Sequence, residues 1–166
     1  MKTLITGATG FVGAAVLREL LKKGHRVKAL VRKSSVLDNL KNLNVETVEG
    51  DLKDRDSLKS CLKDCKYLFH VAADYRLWVP KPDEIYQNNV KGTENLMEEA
   101  VNSEIEKVVY TSSVAVLGKP ISGGIANEKT PVNEDQMIGH YKKSKFLAEE
   151  KVKKLYKTRR LPVVIV

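Results

Sequence analysis

Two stretches of this chain place chemically capable residues at useful spacings. In YKKSK, Tyr141 and Lys145 are four residues apart, one helical turn, so their side chains share a face. A free tyrosine titrates near pH 10, too high for efficient acid–base work at neutral pH, and a close cation lowers that by roughly one to three units. The pair therefore suits proton transfer to or from a reacting oxygen. The same two residues also fit a plainer arrangement, with Tyr141 in the core and Lys145 running an apolar stem out to water. At the other end, TGATGFVG sets Gly7, Gly10 and Gly13 at three-residue intervals, directly after an apolar run. A turn of this kind bends sharply, lets the backbone approach a pyrophosphate, and packs the following helix against a sheet, and each demand favours a residue without a side chain. The helix that follows offers free N–H groups and the positive end of its dipole to phosphate.

These residues need elements to hold them. Apolar runs of strand length alternate with segments of helical period along the whole chain. TLITGA, HRVKALVRK, NVETVEGD, KYLFHVAAD, EKVVYTSS and LPVVIV read as strands. The first helix places Val12, Val16, Leu20 and Leu21 near one face and stops at Gly24; a second carries Leu58, Cys61, Leu62 and Cys65, with Asp54 or Asp56 as its cap. A third runs from about Pro82 to Ser103. A polar loop containing Gly118, Gly123, Gly124 and Pro131 leads to the last helix. On that helix Tyr141, Lys145, Ala148, Val152 and Leu155 form one stripe, and Lys142, Lys143, Lys151, Lys153, Lys154 and Lys157 turn the other way. Lys145 is thus the one lysine expected to point inward. Phe146 and Leu147 lie off this stripe. The order of elements predicts βαβ units and a doubly wound parallel sheet, an α/β Rossmann fold in a single dinucleotide-binding domain over residues 1–166. Topology alone also accommodates a flavodoxin-like sheet.

A chain of 166 residues with 42% apolar and 30% charged residues is long enough for a buried core and is not of disordered composition. No segment is long and apolar enough to suggest a membrane span, and MKTLITGATG lacks the regions of a signal peptide, so a cytoplasmic location is the default. Cys61 and Cys65 have neither C-x-x-C nor zinc spacing, so reduced, packed thiols are expected, and nothing resembles a metal site. The formal charge of +8 is concentrated at the C-terminal end, where nine Lys and Arg face only Glu149 and Glu150. These cations are not interleaved with exposed aromatics and no recognised nucleic-acid module accompanies them, so a solvated helix face is expected rather than a nucleic-acid partner.

TGATGFVG, GDL at 50–52, VAA at 71–73, NVKGT at 89–93, YTSSVAVLG at 110–118 and YKKSK at 141–145 stand in the order and approximate spacing of the extended short-chain dehydrogenase/reductase superfamily. Throughout its length the chain resembles epimerase/dehydratase and dihydroflavonol-reductase-like members. More narrowly, VAADYRLWVPKPDEIYQNNVKGT and YKKSKFLAEE resemble the hopanoid-associated sugar epimerase group. The resemblance implies hydride transfer between a nicotinamide and a carbinol or carbonyl carbon of a small-molecule substrate, with Tyr141 as acid–base. Lys145 would lower the tyrosine's pKa and bond the nicotinamide ribose. Ser113, with Ser112 as the alternative, would polarise the substrate oxygen. It further implies that Gly7, Thr9, Gly10, Phe11, Val12 and Gly13 hold the cofactor's pyrophosphate turn, that Asp51 and Leu52 border the adenine, and that Ala72 and Ala73 border its central portion. Asn89 would lie in the helix behind the site. Asp74, Tyr75, Arg76 and Trp78, after the fourth strand, could face substrate or form an ordinary surface loop. His25 and His70 read as structural. Family members continue past the sixth strand into a smaller substrate-binding domain, so this stretch is expected to bind cofactor more readily than it turns over substrate. A non-catalytic nucleotide-binding or sensor module is the alternative. A homodimer through the last helices follows by analogy with relatives.

The end of the second strand bears on which nicotinamide cofactor fits. An acidic residue there bonds a free ribose 2'-hydroxyl, and a basic one accommodates a 2'-phosphate. LVRKSS puts Arg32 and Lys33 at that point, which favours NADP, with NAD as the alternative and Arg32 as a merely solvated cation the plainer reading. Dissociation constants for the two dinucleotides check this. Tighter binding of NADP, lost in Arg32→Ala, is expected; equal affinities that the substitution leaves unchanged contradict it.

Overall fold

A computed structural model describes residues 1–120 and 123–166; Ile121 and Ser122, within the polar loop, lie outside the described residues. Strands β1 (Lys2–Thr6), β2 (Arg26–Val31), β3 (Glu46–Glu49), β4 (Tyr67–His70), β5 (Lys107–Tyr110) and β6 (Val163–Ile165) pair in parallel in the order β3-β2-β1-β4-β5-β6. The order reverses between β1 and β4, which leaves a crevice at the carboxyl ends of these two strands, where ligands bind in such sheets. The expected doubly wound sheet is therefore present.

Strand alternation sends successive side chains to opposite faces. Leu4 of β1 joins a core with Leu58, Leu96, Ala148 and Val152, while its neighbour Ile5 joins a separate core with Leu17, Leu20, Val27 and Ala29. The first core is built on α2 (Arg55–Leu62), α4 (Gly92–Val101) and α5 (His140–Arg159); the second is built on α1 (Phe11–Lys22). Helix α2 begins at Asp54, whose carboxylate accepts the N–H groups of Asp56 and Ser57, a cap that contributes about 1 kcal/mol. Cys61 and Cys65 are free and buried. Lys28 is buried on β2 and donates to the carbonyls of Cys61 and Lys63, each at 3.2 Å. That ammonium closes the otherwise open carboxyl end of α2.

Two helical faces differ from the sequence expectation. On α1 the buried positions are Gly13, Ala14, Leu17 and Leu20, whereas Val12 is 54% exposed and Val16 and Leu21 only flank the core. The cause is local: a β-carbon at Gly13 would stand 2.0 Å from the Gly7 carbonyl oxygen, so the helix presses its Gly13 side against the turn and rotates Val12 outward. On α5, Phe146 is buried with Val116 and Met137. The 3-10 turn Val114–Val116 and the loop before α5 supply this second apolar neighbour, which the stripe facing the sheet did not anticipate.

The third helix is continuous but not uniform. Helix α3 (Pro82–Tyr86) passes through a π turn, Gln87–Lys91, into α4. Such turns widen the backbone spiral and are frequent at functional sites. Gly7 has φ of +76°, and a β-carbon there would lie 2.6 Å from the Ala72 nitrogen. Gly10, with nothing nearer than 3.4 Å, has room for one. Gly13→Ala is therefore expected to lower the unfolding free energy by at least about 2 kcal/mol, through backbone displacement. Gly10→Ala should change it by less than about 1 kcal/mol but weaken binding of a dinucleotide. Denaturant melts and titrations of both variants separate the two roles; equal destabilisation contradicts it.

Candidate functional site

Helix α1 opens at Gly10 with no side-chain cap and no acidic residue in its first turn. Its leading N–H groups therefore face the crevice without a competing anion. Phe11 is 94% exposed and Val12 lies beside it at the surface, so the backbone of this turn is open to a ligand. The turn is braced from two sides. Gly7 packs against the Ala72 backbone at the end of β4, and Asn39 Nδ2 donates to the Thr9 carbonyl at 2.8 Å. Asn39 was not singled out by its sequence context, because it acts through a loop that has no motif.

At the far end of the crevice, Arg32 and Lys33 line a cavity of about 320 Å³ with Glu49, Gly50, Asp51, Asp54 and Ser57. The Arg32 N–H bonds to Ser35 Oγ at 3.0 Å, so the backbone after β2 turns tightly while the cationic side chains extend. Asp51 N–H donates to Ser57 Oγ at 3.1 Å. Leu52 is half-buried, and its carbonyl accepts Asn95 Nδ2 at 3.0 Å. Ala72 and Ala73 follow β4 at the centre of the edge, the first half-buried and the second exposed.

Past β5 the chain brings Ser113 and α5 to the same edge. Ser113 Oγ accepts the Ala115 N–H at 3.1 Å, which uses a lone pair and leaves the hydroxyl proton free to donate. Ser112 is engaged differently: its hydroxyl donates to Glu149 on α5. That difference favours Ser113 over Ser112 as the hydroxyl available to a ligand. The cluster of Val116, Met137 and Phe146 holds the turn after Ser113 against α5. Tyr141 is half-buried in the first turn of α5.

Lys145 is 3% exposed. Its Nζ donates to the Thr111 carbonyl at 2.9 Å and to Tyr110 Oη at 3.3 Å, and it lies 4.9 Å from the centre of the Tyr110 ring. Among the described residues no hydrogen bond joins Lys145 to Tyr141, or Tyr141 to Ser113. Two of the three ammonium hydrogens are placed, so one remains for a ligand. Burial pulls Lys145 down from the usual lysine range to about 8, with the Glu149 carboxylate opposing that shift. Beneath it, Tyr110 stacks on His70 with ring centres 5.6 Å apart. His70 Nδ1 is 2.7 Å from Thr6 Oγ1 and Nε2 is 2.9 Å from Thr93 Oγ1. Burial, aided by the Lys145 charge, lowers His70 to about 3, so at neutral pH it adds no second cation under the lysine. Burial raises the Tyr110 phenol, which keeps it neutral. His70 is thus fully buried with both ring nitrogens bonded, the setting of a packed rather than a reacting imidazole.

Asn89, in the π turn, receives the Asp74 N–H at 2.6 Å and donates to the Asp74 carbonyl and to Ser144 Oγ, at 2.8 and 2.9 Å. It thereby ties the loop after β4 to α5. The Asp74 carboxylate is already taken up by Arg76 and Asn88, and the Arg76 guanidinium holds it below the usual carboxylate range. Tyr75 and Trp78, at 79% and 78% exposure, stand open on the same loop. Of the substrate candidates, these two make no side-chain hydrogen bond among the described residues. Among the described residues there is no cluster of three metal-ligating side chains, and no helix is long and apolar enough to cross a membrane.

Comparison with known proteins agrees with this geometry. The chain is 47% identical over 88% of its length to a putative dihydroflavonol 4-reductase of Synechocystis, and 37% identical over 92% to sterol demethylase protein B of Methylococcus capsulatus. It spans 42% and 46% of those relatives, less than half of each. Among solved structures, gox2253 superposes with a TM-score of 0.93 at 53% identity, covering 98% of this chain and 49% of that one. A dTDP-glucose 4,6-dehydratase from Streptomyces venezuelae, solved with NAD bound, gives 0.87 at 26% identity, covering 99% and 54%. The model of the NAD-dependent epimerase/dehydratase family matches residues 3–166, and with the glycine turn, the switch point and the buried lysine in place, the chain belongs to that family.

Proposed function

We propose that this chain is the dinucleotide-binding portion of an oxidoreductase or epimerase, with NADP as its preferred cofactor, acting on a carbinol or carbonyl carbon of a sugar-nucleotide or dihydroflavonol-like substrate. The observation that carries this reading is a buried ammonium, Lys145, with one hydrogen unspent, at the carboxyl edge of the sheet, bonded to the end of β5 and one turn along α5 from Tyr141. Burying a lysine with only neutral hydrogen-bond partners is costly, and a ligand with hydroxyl groups beside it gives that cost a use.

The residues fit the cofactor. An uncapped α1 and an open Gly10 suit a pyrophosphate. Arg32 and Lys33 suit a 2'-phosphate, although Glu49, Asp51 and Asp54 line the same cavity and would suit a free 2'-hydroxyl. Asp51 and Leu52 would border the adenine, and Ala72 and Ala73 the middle of the cofactor. The bound nicotinamide would supply hydride acceptance and donation. The chain's part is to bind, orient and move a proton. Lys145 would hold the ribose hydroxyls through its remaining N–H and favour the Tyr141 phenolate. Tyr141 would take the proton of a carbinol oxygen as the hydride leaves the carbon, or return it in reduction. Ser113 would donate its free hydroxyl proton to that oxygen. Tyr75 and Trp78 would contact substrate, and Asp74 would brace their loop.

Tyr141→Phe tests the chemistry apart from the binding. Affinity for the reduced dinucleotide, followed by its fluorescence, should stay within about twofold. In a full-length relative carrying the same change at the matching tyrosine, carbonyl-dependent oxidation of that dinucleotide should fall by about 10²–10⁴-fold, the span of a lost general acid. Unchanged turnover would instead favour a nucleotide-binding module without this acid–base step.

A further inference from the structure

A buried ammonium needs a counter-charge, and the two neutral acceptors of Lys145 do not provide one. The carboxylate placed to favour its charge is Glu149, four residues further along α5 and itself largely buried, with its side chain 11% exposed; among the described residues the two make no direct ion pair, so it acts across the turn. Residues at this spacing on a helix are neighbours. The two side chains also reach adjacent residues of one strand end: Lys145 binds the Thr111 carbonyl, and Glu149 receives the Ser112 hydroxyl. That strand end is fixed from its other side, where the Ser112 N–H donates to the Val166 carbonyl at 2.7 Å. Lys153 Nζ pairs with Glu149 at 2.7 Å from the rim. The other titratable groups facing Lys145 are Tyr141 on its own helix, Tyr110 on β5 and His70 on β4, and the last two are held neutral by burial.

We propose that Glu149 is a positioning residue of the site: anchored by Ser112, its carboxylate is the counter-ion of the Lys145 ammonium and keeps that side chain charged and in place against the end of β5. Its role is exercised through Lys145, not through contact with substrate. Removing the carboxylate leaves the ammonium with neutral partners only. The uncharged amine then becomes favoured at lower pH, and the group that would hold the ribose and assist Tyr141 is lost from the neutral range. The functional consequence rests on the function proposed above; the ionisation itself does not.

The test is a pH titration of the cofactor-free chain carrying lysine labelled with ¹³C at Cε, with the Lys145 resonance assigned by its loss in Lys145→Met. In the native chain its midpoint is expected near pH 8. In Glu149→Gln it should fall by about one unit, and Glu149→Asp should recover part of the shift, with circular dichroism reporting the fold. A midpoint that stays put in folded Glu149→Gln overturns the proposal. If that variant does not fold, Ser112→Ala decides: releasing the carboxylate should move the midpoint down by a smaller amount, and an unmoved midpoint overturns the proposal equally. Binding of the reduced dinucleotide should weaken at a correspondingly lower pH in Glu149→Gln. Absence of dinucleotide binding at every pH would sink the proposed function while leaving the ionisation result to judge Glu149.

Discussion

An ammonium group taken out of water loses several kcal/mol of hydration unless charge and hydrogen bonds replace it. Lys145 is in that position, and much of the carboxyl edge of the sheet is organised by the need to accommodate it. The Thr111 carbonyl and the Tyr110 phenol meet it from β5, the Tyr110 ring lies under it, and Glu149 opposes its charge from the next turn of α5. Below that layer His70 is bonded on both ring nitrogens and kept uncharged. A protonated His70 would add a second buried cation to a place that barely sustains one.

The same edge is cross-linked by contacts between its strand ends and the neighbouring helices. Gly7 against Ala72 couples the glycine turn to the chain after β4. Asn89 couples the loop after β4 to α5 through Asp74 and Ser144. Ser112 couples β5 to α5 through Glu149, and to the end of β6 through its backbone. Three separate strand ends are thus tied to one helix or one turn. Such pre-organisation holds the polar groups of this edge in place before a ligand arrives.

Much of this was legible in the residues. Alternation of apolar runs with helical periods was enough for the parallel sheet, and the glycine spacing identified a turn that requires close backbone contact. Helical phase alone separated Lys145 from the other lysines of α5, and the buried ammonium lies on the face it indicated. Phase failed where a second neighbour intervened. Phe146 is buried by a loop whose path periodicity does not encode, and Val12 is turned outward by a 2.0 Å constraint at Gly13 that a hydrophobicity pattern does not register. Glu149 was visible as one of only two acids in the basic segment. Its spacing of four from Lys145 sets the two side chains on neighbouring turns of one helix. Lys28 and Asn39 carried no such signal, because their partners are backbone carbonyls distant in sequence.

The proposed function turns on Lys145 having a ligand to hold. A crystal structure of the chain with NADP bound tests this most directly. Pyrophosphate oxygens are expected on the N–H groups that open α1, and nicotinamide ribose hydroxyls within hydrogen-bond distance of Lys145 Nζ beside Tyr141. A dinucleotide seated elsewhere, or a Lys145 still bonded only to Tyr110 and Thr111, would contradict it.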